Sequence, residues 1–231
     1  MFHFRDFFSL IFGHNCVHCK SSLIELEQHL CVFCRTELSL IDPTSEESHK
    51  IDQLFYGKAK IEKAISNYHF LQGGVCQSLV HHLKYHNVPK IGIEEGKILA
   101  EKILLLPELQ DIDAIVPVPM TFKKRRKRGF NKSELIAKGL QQIMKKPVFP
   151  KLLQRKVQKK SQTKLNKFTR WQNINESFGL NHEIPPHIKH ILLVDDVITT
   201  GATLESCANA IHSKHHIKIS IASIAFAPLQ A

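Results

Sequence analysis

The sequence has 231 residues, 43% of them hydrophobic, and a formal net charge of +11 at pH 7. That length suits one α/β domain of ordinary size plus a small appendage, and the hydrophobic content excludes a disordered polymer. The positive balance predicts attraction to polyanions, whether nucleic acid, phosphorylated ligands or an anionic membrane surface, without choosing among them.

The chain opens on MFHFRDFFSLIFGHNC, which is rich in Phe but interrupted by His3, Arg5 and Asp6, with no small-residue cleavage site after it. It is not read as a signal peptide. No uninterrupted apolar stretch approaches the roughly 18 residues of a membrane span, so no transmembrane helix is predicted. Phe2, Phe4, Phe7, Phe8, Ile11 and Phe12 would share one side of a short helix, either buried against the protein or resting on a membrane surface. Six cysteines in a chain without an export signal point to a reduced, cytosolic protein. Four of them form two knuckles, Cys16-x2-Cys19 and Cys31-x2-Cys34, with eleven residues between. This is the spacing of a tetrahedral thiolate site for structural Zn²⁺, closing a segment too small to bury a core of its own. A pair of disulfides, or an iron–sulfur or redox role, is the alternative. His14 and His18 are left out of the site, since four thiolates already complete it. Residues 1–45 are thus read as an N-terminal helix and zinc ribbon, and residues 51–231 as a second domain.

Residues 42–50, DPTSEESHK, are polar and read as a linker. Residues 59–71 predict a pair of short strands, and residues 75–86 predict a helix that places Cys76, Leu79, Val80 and Leu83 in the core. Another helix is expected over residues 94–106, ended by Pro107. There follow a strand at residues 113–119, a basic loop, a helix at 132–145, a long basic stretch, a strand at 191–197, a helix at 203–213 and a strand at 218–226. The alternation predicts a parallel sheet with helices on its faces.

Residues 121–175 hold eighteen of the 32 lysines and arginines, with Glu134 as their one acid. Such a block, in an otherwise slightly acidic chain, predicts a local anion-binding surface. Beside it stands KHILLVDDVITTGAT, residues 189–203. Ile191, Leu192, Leu193 and Val194 leave no face for solvent, so this is a buried parallel strand, and in open α/β sheets ligands bind beyond the carboxyl ends of strands. Asp195 and Asp196 sit there and suit vicinal hydroxyls or Mg²⁺. Thr199, Thr200, Gly201, Ala202 and Thr203 then form a small-residue loop. Its Gly201 permits an unusual backbone angle, and the helix beginning near Thr203 aims its free N–H groups at a phosphate.

ILLVDDVITTGAT resembles the signature of type I phosphoribosyltransferases, whose acids bind the ribose hydroxyls of phosphoribosyl diphosphate and whose loop binds its 5-phosphate. The whole chain is similar to the ComF (ComFC) family of competence proteins, which resemble amidophosphoribosyltransferases and begin with a zinc ribbon. The matching pieces are the two cysteine knuckles, LKYHN at residues 83–87, VPVPM at 116–120, RKRGFNKSELIA at 126–137, residues 162–178 with QTKL, Arg170, Asn173 and Phe178, and DDVITTGAT. Departures are few: GHNC stands where a proline is commoner, and NKSE where Gln often follows Phe-Asn.

The resemblance implies a type I phosphoribosyltransferase-like α/β sheet behind a zinc ribbon, and a role in natural transformation. That role is the handling of incoming single-stranded DNA in the cytoplasm, near the inner face of the membrane, with a competence helicase or DNA-processing protein as partner. It implies no established reaction; phosphoribosyl transfer to an unidentified acceptor, with Asp195 and Asp196 as catalytic residues and Mg²⁺ beside the diphosphate, is the alternative expectation. The ligand set it implies is Asp195, Asp196, Val197 and the loop Thr199, Thr200, Gly201, Ala202 and Thr203, with Val118, Pro119 and Met120 bordering the diphosphate. Lys123, Lys124, Arg125, Arg126, Lys127 and Arg128 form a run of six cations, followed by Asn131 and Glu134 as a capping pair. Residues 155–171 add seven cations, no acid, and the interleaved Phe168 and Trp171. With Lys164, Lys167 and Arg170, these suit either single-stranded nucleic acid, by phosphate neutralisation and base stacking, or a mobile hood over the diphosphate.

Overall fold

The computed structural model describes residues 15–85, 88–156 and 178–228. In chain order its elements are α1 (Val32–Thr36), α2 (Glu46–Gln53), β1 (Ala64–His69), α3 (Val75–Tyr85), α4 (Pro89–Leu104), a 3-10 turn (Pro107–Leu109), β2 (Ala114–Pro117), α5 (Phe122–Arg128), α6 (Lys132–Met144), β3 (Leu153–Arg155), β4 (Phe178–Leu180), β5 (His190–Ile198), α7 (Ala202–His212) and β6 (Lys218–Phe226). The proposed amino-terminal helix falls outside the described residues, as do Lys164, Lys167, Phe168, Arg170 and Trp171.

Four strands form a wholly parallel sheet in the order β1-β6-β5-β2, as the alternation of elements predicts. Side chains on a strand alternate between faces, and both faces of this sheet are covered. Leu192 and Val194 enter a core shared with α3, α4 and α6, while Ile191 and Leu193 enter a second core shared with α7. That is why β5 is apolar without interruption from Ile191 to Val194. Helices α4 and α6 approach until their backbones touch. A Cβ at Gly96 would lie 2.2 Å from the Ile136 carbonyl oxygen, and one at Gly139 would lie 2.0 Å from that of Ile93. Both sheet edges carry a further segment. Residues 39–41 pair antiparallel with β1 through the Leu40–Tyr68 bridge, and Val148 bridges Ile115 of β2 in parallel.

Several expectations shift in detail. The proposed linker contains a helix, α2, because the Ser45 side chain accepts a hydrogen bond from the Ser48 amide and Glu46 and Glu47 occupy the first turn. Residues 59–71 yield one strand, β1. Helix α4 starts at Pro89, whose fixed φ and missing N–H suit a first helical position. The basic loop is helical: the Thr121 hydroxyl accepts from the Lys124 amide, and Gly129 ends the helix at φ 80°. Asn131 caps α6 as expected, accepting from the Ser133 amide, but Glu134 turns to Arg125 at 3.0 and 3.2 Å instead of completing a box. The antiparallel pair β3–β4, which flanks the second basic stretch, has no clear signal in the sequence.

Candidate functional site

Two sites emerge. In the ribbon, the Sγ atoms of Cys16, Cys19, Cys31 and Cys34 all lie within 4.8 Å of one another, and Cys19 and Cys31 stand 3.6 Å apart. Sulfurs each about 2.3 Å from a central Zn²⁺ stand about 3.8 Å apart at the corners of a tetrahedron, so the four are placed to hold a metal ion. The first knuckle turns through Lys20 at φ 66°, whose amide donates to the Cys16 carbonyl, and the second opens α1. Cys16, Cys31 and Cys34 are buried in the same core as Val75, Cys76 and Leu79 of α3. His18 adds a hydrogen bond to Ser78 at 2.9 Å, which gives it a docking role beside the cluster. The ribbon therefore sits on α3.

The second site opens at the carboxyl ends of β2 and β5. The last paired residues of these strands are Pro117 and Val194, and the Val118 amide donates to the Val194 carbonyl at 2.9 Å. This register places Val118, Pro119 and Met120 beside Asp195 and Asp196. All five line one cleft, together with Lys124 and Arg128 of α5, Asn131, Lys132 and Ser133 at the start of α6, Arg155 of β3 and Thr203. A contiguous pocket is formed by Asp195, Val197, Thr199, Thr200, Gly201, Ala202 and Thr203 with their neighbours. Gly201 precedes α7 at φ 75°, and a Cβ there would meet the Phe55 ring at 2.9 Å. The backbone angle and the close approach both call for glycine. Phe55, buried just after α2, is thus the floor of the loop.

Both acids are engaged. The Ser133 hydroxyl and the Asp196 amide each donate to Asp195 Oδ1 at 2.9 Å. Lys132 Nζ forms a short ion pair with Asp196 Oδ2, and Lys84 Nζ reaches the same oxygen from α3 at 3.2 Å. Burial and then the neighbouring charge of Asp196 raise the carboxyl pKa of Asp195. Burial works against Asp196 as well, but Lys132 and Lys84 outweigh it and hold that carboxyl below its usual range. The two acids are therefore shifted in opposite directions, Asp196 toward its anion and Asp195 toward its protonated form. Asn131 Nδ2 donates to the Val118 carbonyl at 2.9 Å, fixing the start of α6 against the β2 exit.

Sequence reasoning missed Lys84, Lys132, Ser133, Asn131 and Arg155 as members of this site. A signal existed for four of them, since Lys84 lies in LKYHN and the others in GFNKSE, but spacing along the chain does not reveal which strand end a distant helix reaches. Of the six consecutive cations, the helix turns Lys124 and Arg128 to the cleft, ties Arg125 to Glu134 and exposes Arg126. Lys123 and Lys127 lie on the same helix.

No family model matches the chain. It is 31% identical over 133 residues to the DNA utilization protein YhgH of Salmonella typhimurium, a match covering 56% of this chain and 58% of that protein. It is 24% identical over 213 residues to Competence protein F of Haemophilus influenzae, covering 84% and 88%. It is 31% identical over 102 residues to Competence protein ComFC of Bacillus subtilis, covering 43% and 38%. The chain matches little more than half the length of the Salmonella protein but most of Competence protein F. Among the described residues, no helix is long and apolar enough to cross a membrane.

Proposed function

From its kinship with the ComF-type competence proteins, we propose that this chain handles single-stranded DNA in the cytoplasm during natural transformation and binds phosphoribosyl diphosphate, or a closely related phosphorylated ribose, in the cleft beyond β2 and β5. The observation that carries this reading is the convergence, in one cleft, of two carboxylates, a glycine-capped loop opening a helix, and cations from α5 and β3. Asp196, anionic, accepts a hydrogen bond from one ribose hydroxyl, and Asp195 takes the other. Thr199, Thr200 and Thr203, with the amides that open α7, hold the 5-phosphate at the positive end of the helix. The backbone of Val118, Pro119 and Met120 borders the diphosphate, whose charge Lys124 and Arg128 offset.

Mg²⁺ fits this site as an ion carried by the ligand. Asp196 already has two ammonium partners, so the protein offers at most one or two carboxylate oxygens and the diphosphate and water supply the rest. When bound, it would screen the diphosphate charge. Zn²⁺ is the metal that the four thiolates suit, in a structural role. The basic face of α5, together with Lys164, Lys167, Phe168, Arg170 and Trp171, supplies phosphate contacts and stacking for the strand, and the partner class is a DNA helicase or another DNA-processing protein.

Calorimetric titration of the zinc-loaded chain with phosphoribosyl diphosphate and Mg²⁺ tests the ligand. Saturable heat that disappears in the Asp195→Ala, Asp196→Ala variant is expected; no heat from a folded sample rejects the ligand assignment. A second reading, transfer of the phosphoribosyl group to an unidentified acceptor, is favoured by the unequal surroundings of the two acids: two ammonium groups hold Asp196, whereas Asp195 is bonded to the Ser133 hydroxyl and the Asp196 amide, which suits one group for charge stabilisation and the other for proton transfer. Release of diphosphate that requires an added acceptor and is lost in Asp195→Ala would establish it.

A further inference from the structure

The cleft draws cations from both basic stretches of the chain. Lys124 and Arg128 come from α5, one turn apart, and Arg155 comes from the end of β3, where the second stretch begins. Among the described residues, none of the three pairs with a carboxylate, whereas Lys84 and Lys132 are committed to Asp196. Two of the three rest on rings: the Arg128 guanidinium lies 5.4 Å from the centre of Tyr85, and that of Arg155 lies 5.3 Å from the centre of Phe178. A guanidinium stacked on an aromatic face is pre-organised and keeps its in-plane N–H fork for phosphate.

Resting on the reading above, we propose that single-stranded DNA and the phosphorylated ribose are mutually exclusive ligands of this cleft, competing for Lys124, Arg128 and Arg155. A phosphodiester backbone passing from α5 to the root of the second basic stretch runs across the cleft between these three residues. A bound diphosphate needs the same three charges, since the site's other two lysines are both drawn to Asp196. Each ligand would also place its own negative charges against those of the other at distances too short for salt to screen. The two therefore oppose each other both by occupying the cations and by repulsion, and each raises the other's apparent Kd in step with its own concentration relative to its Kd.

The experiment measures fluorescence anisotropy of a labelled oligothymidylate of about twenty nucleotides on the full-length, zinc-loaded chain. Phosphoribosyl diphosphate with Mg²⁺ is titrated in, and sulfate at matched ionic strength is the control. The apparent Kd for the strand is expected to rise at least about tenfold at saturating ligand, with no such rise in sulfate. The rise should vanish in the Asp195→Ala, Asp196→Ala variant, and Lys124→Gln, Arg128→Gln should weaken both ligands. Two ligands that each bind alone, and bind together at unchanged affinity, overturn the competition and leave the functional reading standing. Displacement reproduced by sulfate also overturns it, as simple screening. Failure of either ligand to bind alone overturns the functional reading and the competition together.

Discussion

At Asp196 two ammonium groups meet one buried carboxylate, so taking away Lys132 leaves that carboxylate to Lys84. Lys132→Met should therefore destabilise the chain by about 1–2 kcal/mol at pH 7, less than the loss of a sole partner would. The sign of its pH dependence follows from the lowered carboxyl. In the parent, Asp196 contributes stability above the ordinary carboxylate range and loses it only as pH falls through its depressed folded value. In the variant one ammonium fewer opposes burial, the carboxyl protonates at higher pH than in the parent, and the deficit shrinks as pH falls from about 7 to about 5. Urea unfolding across that range checks this, and a deficit that stays constant with pH would mean that Lys132 acts through packing alone. The acids and the loop were legible in the sequence because a buried strand ending in carboxylates and a glycine is a local pattern. Lys84 and Lys132 were not, because their role depends on where α3 and α6 end in space.

Among elements, the contact between α4 and α6 is the most demanding. Because a Cβ at Gly139 would stand 2.0 Å from a backbone oxygen, no rotation of a side chain can relieve it. Gly139→Ala should cost about 3 kcal/mol even though alanine favours helix, since helix separation outweighs propensity. Thermal melts with Lys138→Ala as a neighbouring control measure it, and a stabilised Gly139→Ala would show that the helices do not touch. The same principle separates what could be read from what could not. Parallel strands, α6 and α7 follow from apolar runs and turn residues. The α5 segment is expected as a loop, since six cations in a row carry no apolar periodicity to mark a helix. Thr121 and Gly129 cap both of its ends, and the outcome decides which of those cations reach the cleft. The β3–β4 pair is only three residues per strand, too short for alternation to register.

On the scale of the whole molecule, the ribbon and the sheet share one core, for Cys16, Leu30, Cys31 and Cys34 pack in the same cluster as Leu79, Ile103 and Leu192. Removing the metal with a chelator should lower the melting temperature of the entire chain in a single transition, and adding Zn²⁺ back should restore it. An unchanged main transition, preceded by a separate small one, would show the ribbon to be energetically independent. Helix α3 carries this dependence toward the cleft, since one face packs on the ribbon and its last turn brings Lys84 to Asp196. The bridge between residues 39–41 and β1 has a consequence for any shortened version of the protein. A chain begun after the cysteine knuckles and their exit segment would bare the outermost strand's row of donors and acceptors, an invitation to β-addition by a second copy. Such fragments are expected to self-associate, so residues 39–41 guard the sheet against aggregation.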